Sequence, residues 1–338
     1  MHDTTTAIDR IVQRAFDPVR QAIDDTRIPG AVLGAVSANG DHALRFAGMA
    51  QLEPHKRLMT EDTWFDLASL TKVLFTTPRI LLHNEQKNLL LDDCLTRVLP
   101  DLQQYDSDSW IRQITFAQCL SHQTSLPAVE PIYTYGRDAS LLRAFVLQRQ
   151  WKKVTSVYSD INFILLGLAL ERLDGRRVWQ MNPGKGFAFK AAPTETAATE
   201  YCTWRERVMC GEVHDDNCFA LQGAGHAGLF GTARAVLDHA LGLLNSQAYS
   251  ANLIRTMRTP VGETRTYGWE RAHSGWAGGS RCSSETIGHT GFTGTGLWID
   301  FEAGLAWTLL TNRIHPTRHT DSGIDQLRRD VGESLFYS

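Results

Sequence analysis

Ser69-Leu70-Thr71-Lys72 places a hydroxyl and an amine three residues apart. On a helix, positions i and i+3 share a face, so the amine can reach the hydroxyl. A serine is a poor nucleophile until a base takes its proton, and a lysine serves as that base when burial or neighbouring cations keep it neutral. An N-cap serine followed by an exposed lysine has the same spacing. Tyr158-Ser159-Asp160-Ile161-Asn162 precedes the apolar run Phe163–Leu170. Tyr158 can relay a proton, while Ser159 or Asp160 is expected to cap the following helix. Gly288 to Gly296, reading GHTGFTGTG, has the composition of a strand edge where backbone comes close to a ligand and offers an N–H to an oxyanion. A plain glycine-rich loop reads the same way.

The elements that must carry these groups follow from periodicity. Apolar residues at 8, 11, 12, 15, 16, 19 and 23 predict a helix over 8–24. Ala31–Ser37 and Ala43–Gly48 read as strands joined at Asn39-Gly40. A helix is expected from Ser69 to Asn84, kinked or broken at Pro78. Residues 90–245 carry mostly helical patterns, among them 115–120, 139–148, 162–173 and 233–244. Residues 178–203 have weak periodicity and read as an excursion or lid. Gly296–Phe301 and Leu305–Thr311 are expected strands, and Ser322–Leu335 a final helix. The economical arrangement is one sheet built from both ends of the chain: 8–88 and 246–335 form an α/β part, and 89–245 a mostly helical insertion, within a single catalytic domain over 8–335.

The three motifs, in this order, resemble the serine β-lactamase and penicillin-binding-protein superfamily, for which S-x-x-K and K-T-G are signatures. The likeness spans about residues 10–325. Further phrases carry it: Phe65–Ser69, Leu120–Pro127, Tyr158–Gly167, Gly211–Asp215 and Gly225–Phe230. It is closest to the class C β-lactamase branch with its esterase and amidase relatives, including exo-acting N-acetylmuramoyl-L-alanine amidases. The resemblance implies an α/β (α+β) fold, an antiparallel sheet flanked by helices. It implies that Ser69 is acylated, that Lys72 accepts its proton, and that Tyr158 protonates the leaving group and activates water. The backbone N–H groups of Ser69 and Phe292 would form the oxyanion hole. His289 would replace the usual lysine, and Asp160, Thr290 and Gly291 would contact substrate.

Two positions depart from the pattern. Asp160 stands where Asn is usual and can pair with Lys72. His289 titrates near neutrality, so activity is expected to fall below about pH 6 if it acts as a neutral group. Histidine there is more typical of esterases and amidases than of enzymes that bind a β-lactam carboxylate.

The function expected is therefore a serine hydrolase acting on an amide or ester. A peptidoglycan-fragment amide such as muramoyl-L-alanine leads, followed by a small ester. An acyltransferase, a D,D-peptidase or β-lactamase, and a non-catalytic binding module are the alternatives.

Composition is consistent with a small-molecule partner. The chain has 338 residues, 43% hydrophobic, with 34 basic and 37 acidic residues and a formal charge of −3. No strong overall field favours nucleic acid, and no apolar run is long enough to span a bilayer. No signal peptide is visible at the N-terminus, which implies a cytoplasmic location. No cofactor is expected. Cys202, Cys210, His214 and Cys218 match no common zinc spacing, and the six cysteines read as reduced bystanders. His214, Asp215 and His226 suggest a metal site or triad, but a structural role for His226 beside the glycine-rich turn is preferred. Trp204, Trp269, Trp276 and Trp298 are expected to pack, and Arg205 and Arg207 to be solvated or paired unless they meet an anionic substrate.

Overall fold

The computed structural model describes residues 6–337, so the first five residues of the N-terminal reading lie outside it. The expected helix over 8–24 is two helices, α1 (Ala7–Ala15) and α2 (Asp17–Asp24). Pro18 lies in the first turn of α2, where its missing N–H costs nothing; inside one continuous helix it would have removed a hydrogen bond. Thr6 caps α1 by accepting from Asp9 N–H.

The hairpin follows as β1 (Gly30–Ser37) and β2 (His42–Gln51), with short strands β3 (Arg57–Leu58) and β4 (Phe65–Asp66) after it. The helix expected from Ser69 to Asn84 is three pieces. A 3₁₀ turn over Ala68–Leu70 leads into a wider π-type turn over Lys72–Thr76 and then α3 (Thr77–Glu85), with Pro78 in its first turn. Residues between 86 and 229 hold α4 (Phe116–Leu120), α5 (Ala139–Gln148), α6 (Asp160–Asp174), strands β5 (Phe187–Ala188), β6 (Tyr201–Cys202) and β7 (Arg207–Val208), and α7 (Asp216–Ala220). Beyond them come β8 (Phe230–Gly231), α8 (Ala233–Leu244), α9 (Ala251–Arg258), β9 (Glu270–Arg271), β10 (Thr286–Thr290), β11 (Thr295–Asp300), β12 (Leu305–Thr311) and α10 (Ile324–Leu335). The middle of the chain thus contains long stretches of turns and two-residue strands, less helical than its patterns suggest.

The main sheet is antiparallel, in the order β3-β2-β1-β12-β11-β10-β9. Strands from both ends of the chain meet at the β1–β12 pair, where Ala31 opposes Thr311 and Ser37 opposes Leu305. β1 is buried along nearly its whole length, which explains its almost unbroken apolar sequence. One face carries α1, α2 and α10 over a core that includes the stacked pair Trp298 and Trp307, 5.8 Å apart. The other face carries α8 and the central helices. Because α8 lies directly on β1 and β12, residues 233–244 pack as part of the α/β layer.

The 178–203 segment is tied down. β5 pairs with β8, and Trp64 bridges to Thr196. Its residues line a cavity of about 710 Å³ with Trp179, Met181 and Phe187, separate from the cleft described next, so it is not a lid over that cleft.

Candidate active site

Ser69 sits at the turn between β4 and the helix bearing Lys72, half-buried at the floor of a cleft of about 680 Å³. Lys72 is fully buried. Its Nζ donates to Ser69 Oγ (2.9 Å) and to the His226 carbonyl (3.2 Å), and it lies 2.8 Å from Asp160 Oδ1. Burial alone would push the Lys72 amine down in pKa, but the Asp160 carboxylate and Tyr158 more than offset it and hold it above its usual value. The ion pair thus favours the ammonium form of Lys72 over the neutral base that burial alone would give. Asp160 is the partner that keeps it so.

Asp160 is the first residue of α6, where the helix dipole favours a carboxylate. The expected side-chain cap from Ser159 or Asp160 is absent. Ser159 occupies the cap position but its hydroxyl donates to the Pro127 carbonyl (2.6 Å).

Tyr158 is enclosed by cations and histidines. Lys72 Nζ lies 5.0 Å and the Arg265 guanidinium 5.4 Å from its ring centroid. His122 packs on it at 4.4 Å and His289 at 5.9 Å. His122 Nδ1 accepts from Ser159 N–H (3.1 Å), which fixes the proton on Nε2. His289 is the opposite tautomer. Its Nδ1 donates to the Thr290 carbonyl (2.9 Å), so the buried Nε2 carries a lone pair with no protein partner. Burial first, then the charges of Lys72 and Arg265, push the pKa of His289 well below its usual value. His289 is therefore held neutral at lower pH than a free imidazole.

Thr290 lines the cleft, while Gly291 is buried behind it. A Cβ on Gly291 would meet the Leu67 carbonyl at 2.7 Å, so only glycine lets β10 approach the Ser69 turn. Phe292, on the tight turn into β11, is exposed at the mouth. Arg313 and Arg318 lie 5.0 and 4.9 Å from its ring centroid, and the His214 ring stacks on it at 5.6 Å.

His226 has the structural place expected. Its Nε2 lies 2.9 Å from Asp215 Oδ1 and its carbonyl accepts from Lys72, while Thr76 holds the Gly225 carbonyl (2.6 Å). Burial would raise the Asp215 pKa, but His226 outweighs it and holds it well below the usual range. Asp160, Asp215 and His226 offer ligand atoms within 4.8 Å of one another, yet Lys72 already supplies a cation to Asp160. The sulfurs considered for zinc point apart: Cys210 to the Pro193 and Thr196 carbonyls, Cys218 to that of Ala227, Cys202 to Asp216. All six cysteines are free. Arg205 pairs with Asp216 (2.7 Å) and Arg207 with Glu212. None of the four tryptophans lines the cleft; Trp269, Trp276 and Trp298 are buried, and Trp204 packs on Tyr133.

Sequence reasoning did not single out Asp66, His122, Arg265 or Arg328 as individual residues. Asp66 and His122 lay inside quoted phrases, but their partners are 148 and 37 residues away. Arg328 on α10 donates to the Gly291 and Thr295 carbonyls (both 2.9 Å). Asp66 has one near partner, Ala68 N–H two residues on; the other contacts of these four named above join residues far apart in sequence.

The sequence profile of the Beta-lactamase family matches residues 12–330. The chain belongs to that family. It is 29% identical to the N-acetylmuramyl-L-alanine amidase of Bacillus subtilis (strain 168), over 85% of this chain and 78% of the relative. It is 26% identical to a putative D-alanyl-D-alanine carboxypeptidase of Escherichia coli (strain K12), over 76% of this chain and 70% of the relative. Among solved structures, EstCE1, a hydrolase with promiscuous acyltransferase activity, superposes with a TM-score of 0.74 at 21% identity, covering 98% of this chain and all of its own, a likeness of fold. This family member has the β-lactamase-like fold of an antiparallel sheet with flanking helices, and it is a serine acyl-enzyme hydrolase.

Proposed function

We propose that Ser69 is the acylated nucleophile and that the substrate is an amide of a small peptidoglycan-type fragment. The observation that carries this reading is the Lys72 amine, held between Ser69 Oγ and Asp160 at 2.9 and 2.8 Å in the cleft floor. As Ser69 attacks the carbonyl carbon, its proton passes to Lys72 while Lys72 yields one to Asp160. Tyr158 gives its proton to the leaving nitrogen as the C–N bond breaks and regains one from Lys72. In the second half, Tyr158 passes its proton to the now neutral Lys72 amine and takes one from water as the water attacks the ester carbonyl. As the bond to Ser69 breaks, Lys72 gives a proton to the departing Ser69 oxygen and recovers one from Asp160, which ends as a carboxylate. The backbone N–H groups of Ser69 and Phe292 face the oxyanion.

His289 supports an amidase or esterase over a β-lactamase. A lysine there offers a positive charge to a substrate carboxylate, whereas neutral His289 offers an Nε2 lone pair. The amidase and carboxypeptidase names of the two relatives favour a peptidoglycan-type amide over a simple ester.

A fluorophosphonate is expected to label Ser69, read as a mass shift on its peptide. Ser69→Ala is expected to lower turnover of muramoyl-L-alanine by about 10⁴-fold or more. Full activity of Ser69→Ala on that substrate overturns the mechanism. Faster turnover of nitrocefin or of a D-alanyl-D-alanine peptide than of the muramoyl amide overturns the substrate assignment.

A further inference from the structure

Asp66 lies behind the nucleophile, 3% exposed, with both carboxylate oxygens engaged by backbone. Oδ1 accepts from Ala68 N–H (2.8 Å) and Oδ2 from His214 N–H (2.6 Å). Ala68 is a non-glycine residue at φ +47°, in the left-handed region, directly before Ser69. A side-chain-bearing residue holds that conformation only where its surroundings impose it, and Ala68 sets the direction of the Ser69 N–H. On the other side, His214 stacks on Phe292, whose backbone N–H is the second donor assigned to the oxyanion.

The same turn is clamped through its carbonyls. Thr293 Oγ1 donates to the Asp66 carbonyl (2.8 Å) and Thr295 Oγ1 to the Leu67 carbonyl (3.0 Å). Thr293 is the neighbour of Phe292. The two backbone segments bearing the oxyanion donors are thus joined by Thr293 across 227 residues of chain, and the Asp66 carboxylate adds a second tie, from the Ala68 N–H to the N–H of His214, whose ring stacks on Phe292.

We infer that Asp66 is a positioning residue for the oxyanion hole: its carboxylate holds the left-handed Ala68 turn and the His214–Phe292 wall at the separation a tetrahedral oxyanion requires. This rests on Ser69 being the nucleophile. Asparagine at this position keeps the shape but presents an NH₂ to one of the two N–H donors, so one anchor is lost and the donors drift from their geometry. Removal of a whole oxyanion donor costs 10²–10³ in kcat, and misplacement of one costs somewhat less.

The experiment compares wild type and Asp66→Asn after titration of functional Ser69 with a fluorophosphonate run to completion, so that kcat is expressed per titrated site. With muramoyl-L-alanine, kcat per site is expected to fall by about 30–300-fold and KM to stay within about threefold. Phenylboronic acid, whose tetrahedral adduct places an oxygen in the hole, should lose affinity by a similar factor. A role confined to stability lowers the number of titrated sites and leaves kcat per site unchanged; that result overturns the inference. If Asp66→Asn does not fold, Thr293→Val removes the clamp from the opposite side. It is expected to lower kcat per site by about 3–10-fold with the same split, and an unchanged value there is equally fatal. Failure of the wild-type Ser69 to label overturns the acyl-enzyme reading itself, whereas labelling with unchanged per-site kcat in the variant overturns only the role of Asp66.

Discussion

Asp160 decides what Lys72 is. A buried lysine without a carboxylate loses its proton readily, because desolvation disfavours the ammonium. With Asp160 at 2.8 Å the ammonium is retained, and Asp160 becomes the acceptor that lets Lys72 exchange one proton for another. Asp160→Asn keeps the shape and removes that acceptor. The Lys72 pKa is expected to fall, seen as alkylation of its amine at lower pH than in the wild type. Turnover is expected to drop by about 100-fold or more, in the range of general-base contributions. Unchanged alkylation would mean that Asp160 does not set the charge.

The β10–β11 turn depends on a helix far away in sequence. Arg328 of α10 is buried and donates to the carbonyls of Gly291 and Thr295, on either side of Phe292. Burial pushes its pKa down to about 10, and Asp325 offsets only part of this; it remains charged at neutral pH. Arg328→Met is close in length and apolar, and it removes one of two hydrogen bonds at each carbonyl; the Gly294 and Gly291 N–H groups still donate to the Gly291 and Thr295 carbonyls, respectively. Each hydrogen bond lost contributes about 0.5–1.5 kcal/mol net, so a loss of roughly 1–3 kcal/mol is expected in chemical denaturation. Activity should decline at denaturant concentrations below the unfolding midpoint, because the turn carrying Phe292 loosens first. Coincident loss of activity and fold would argue against that order.

Over the whole molecule, acid should act through buried groups of opposite kinds. His122 and His289 are both held neutral in the fold, by burial first and then by the charges of Lys72 and Arg265. Their folded pKa values lie well below 6.5, so the unfolded chain binds protons that the fold does not. Stability is full above about pH 6.5 and falls as the pH drops below it, by up to about 1.4 kcal/mol per pH unit for each histidine. Glu200 acts lower. Burial would raise it, but hydrogen bonds from His214 and Arg318 outweigh that and hold it at about 2. Its contribution is present above its unfolded value near 4.5 and is lost as the pH falls from there through about 2. Thermal midpoints measured from pH 7.5 to 4 are expected to fall in the wild type. The fall should be smaller in His122→Gln, whose side chain no longer takes up a proton on unfolding; parallel curves would exclude His122 as a source.

Local chemistry was readable wherever it depends on short spacing. The Ser69–Lys72 contact is an i,i+3 relation, the β1–β2 hairpin follows from Asn39-Gly40, and the Asp160–Lys72 pair was anticipated from residue types once the motifs were taken to share one cleft. The break at Pro78 in the helix after Ser69 was expected, but the two helices before β1, the π-type turn over Lys72–Thr76 and the missing side-chain cap on α6 were misread for one reason. Periodicity reports which face is apolar, but it does not report where backbone donors go, and there Pro18, the π-type turn and Pro127 prevail over pattern. Tertiary structure alone decided the rest. It set the charge of Lys72, the opposite tautomers of His122 and His289, and the grip of Asp66 and Arg328 on the oxyanion turn. Each of these depends on burial or on hydrogen bonds between residues far apart in sequence. Only folding brings such residues together, and the desolvation that shifts a proton does not exist until they are packed.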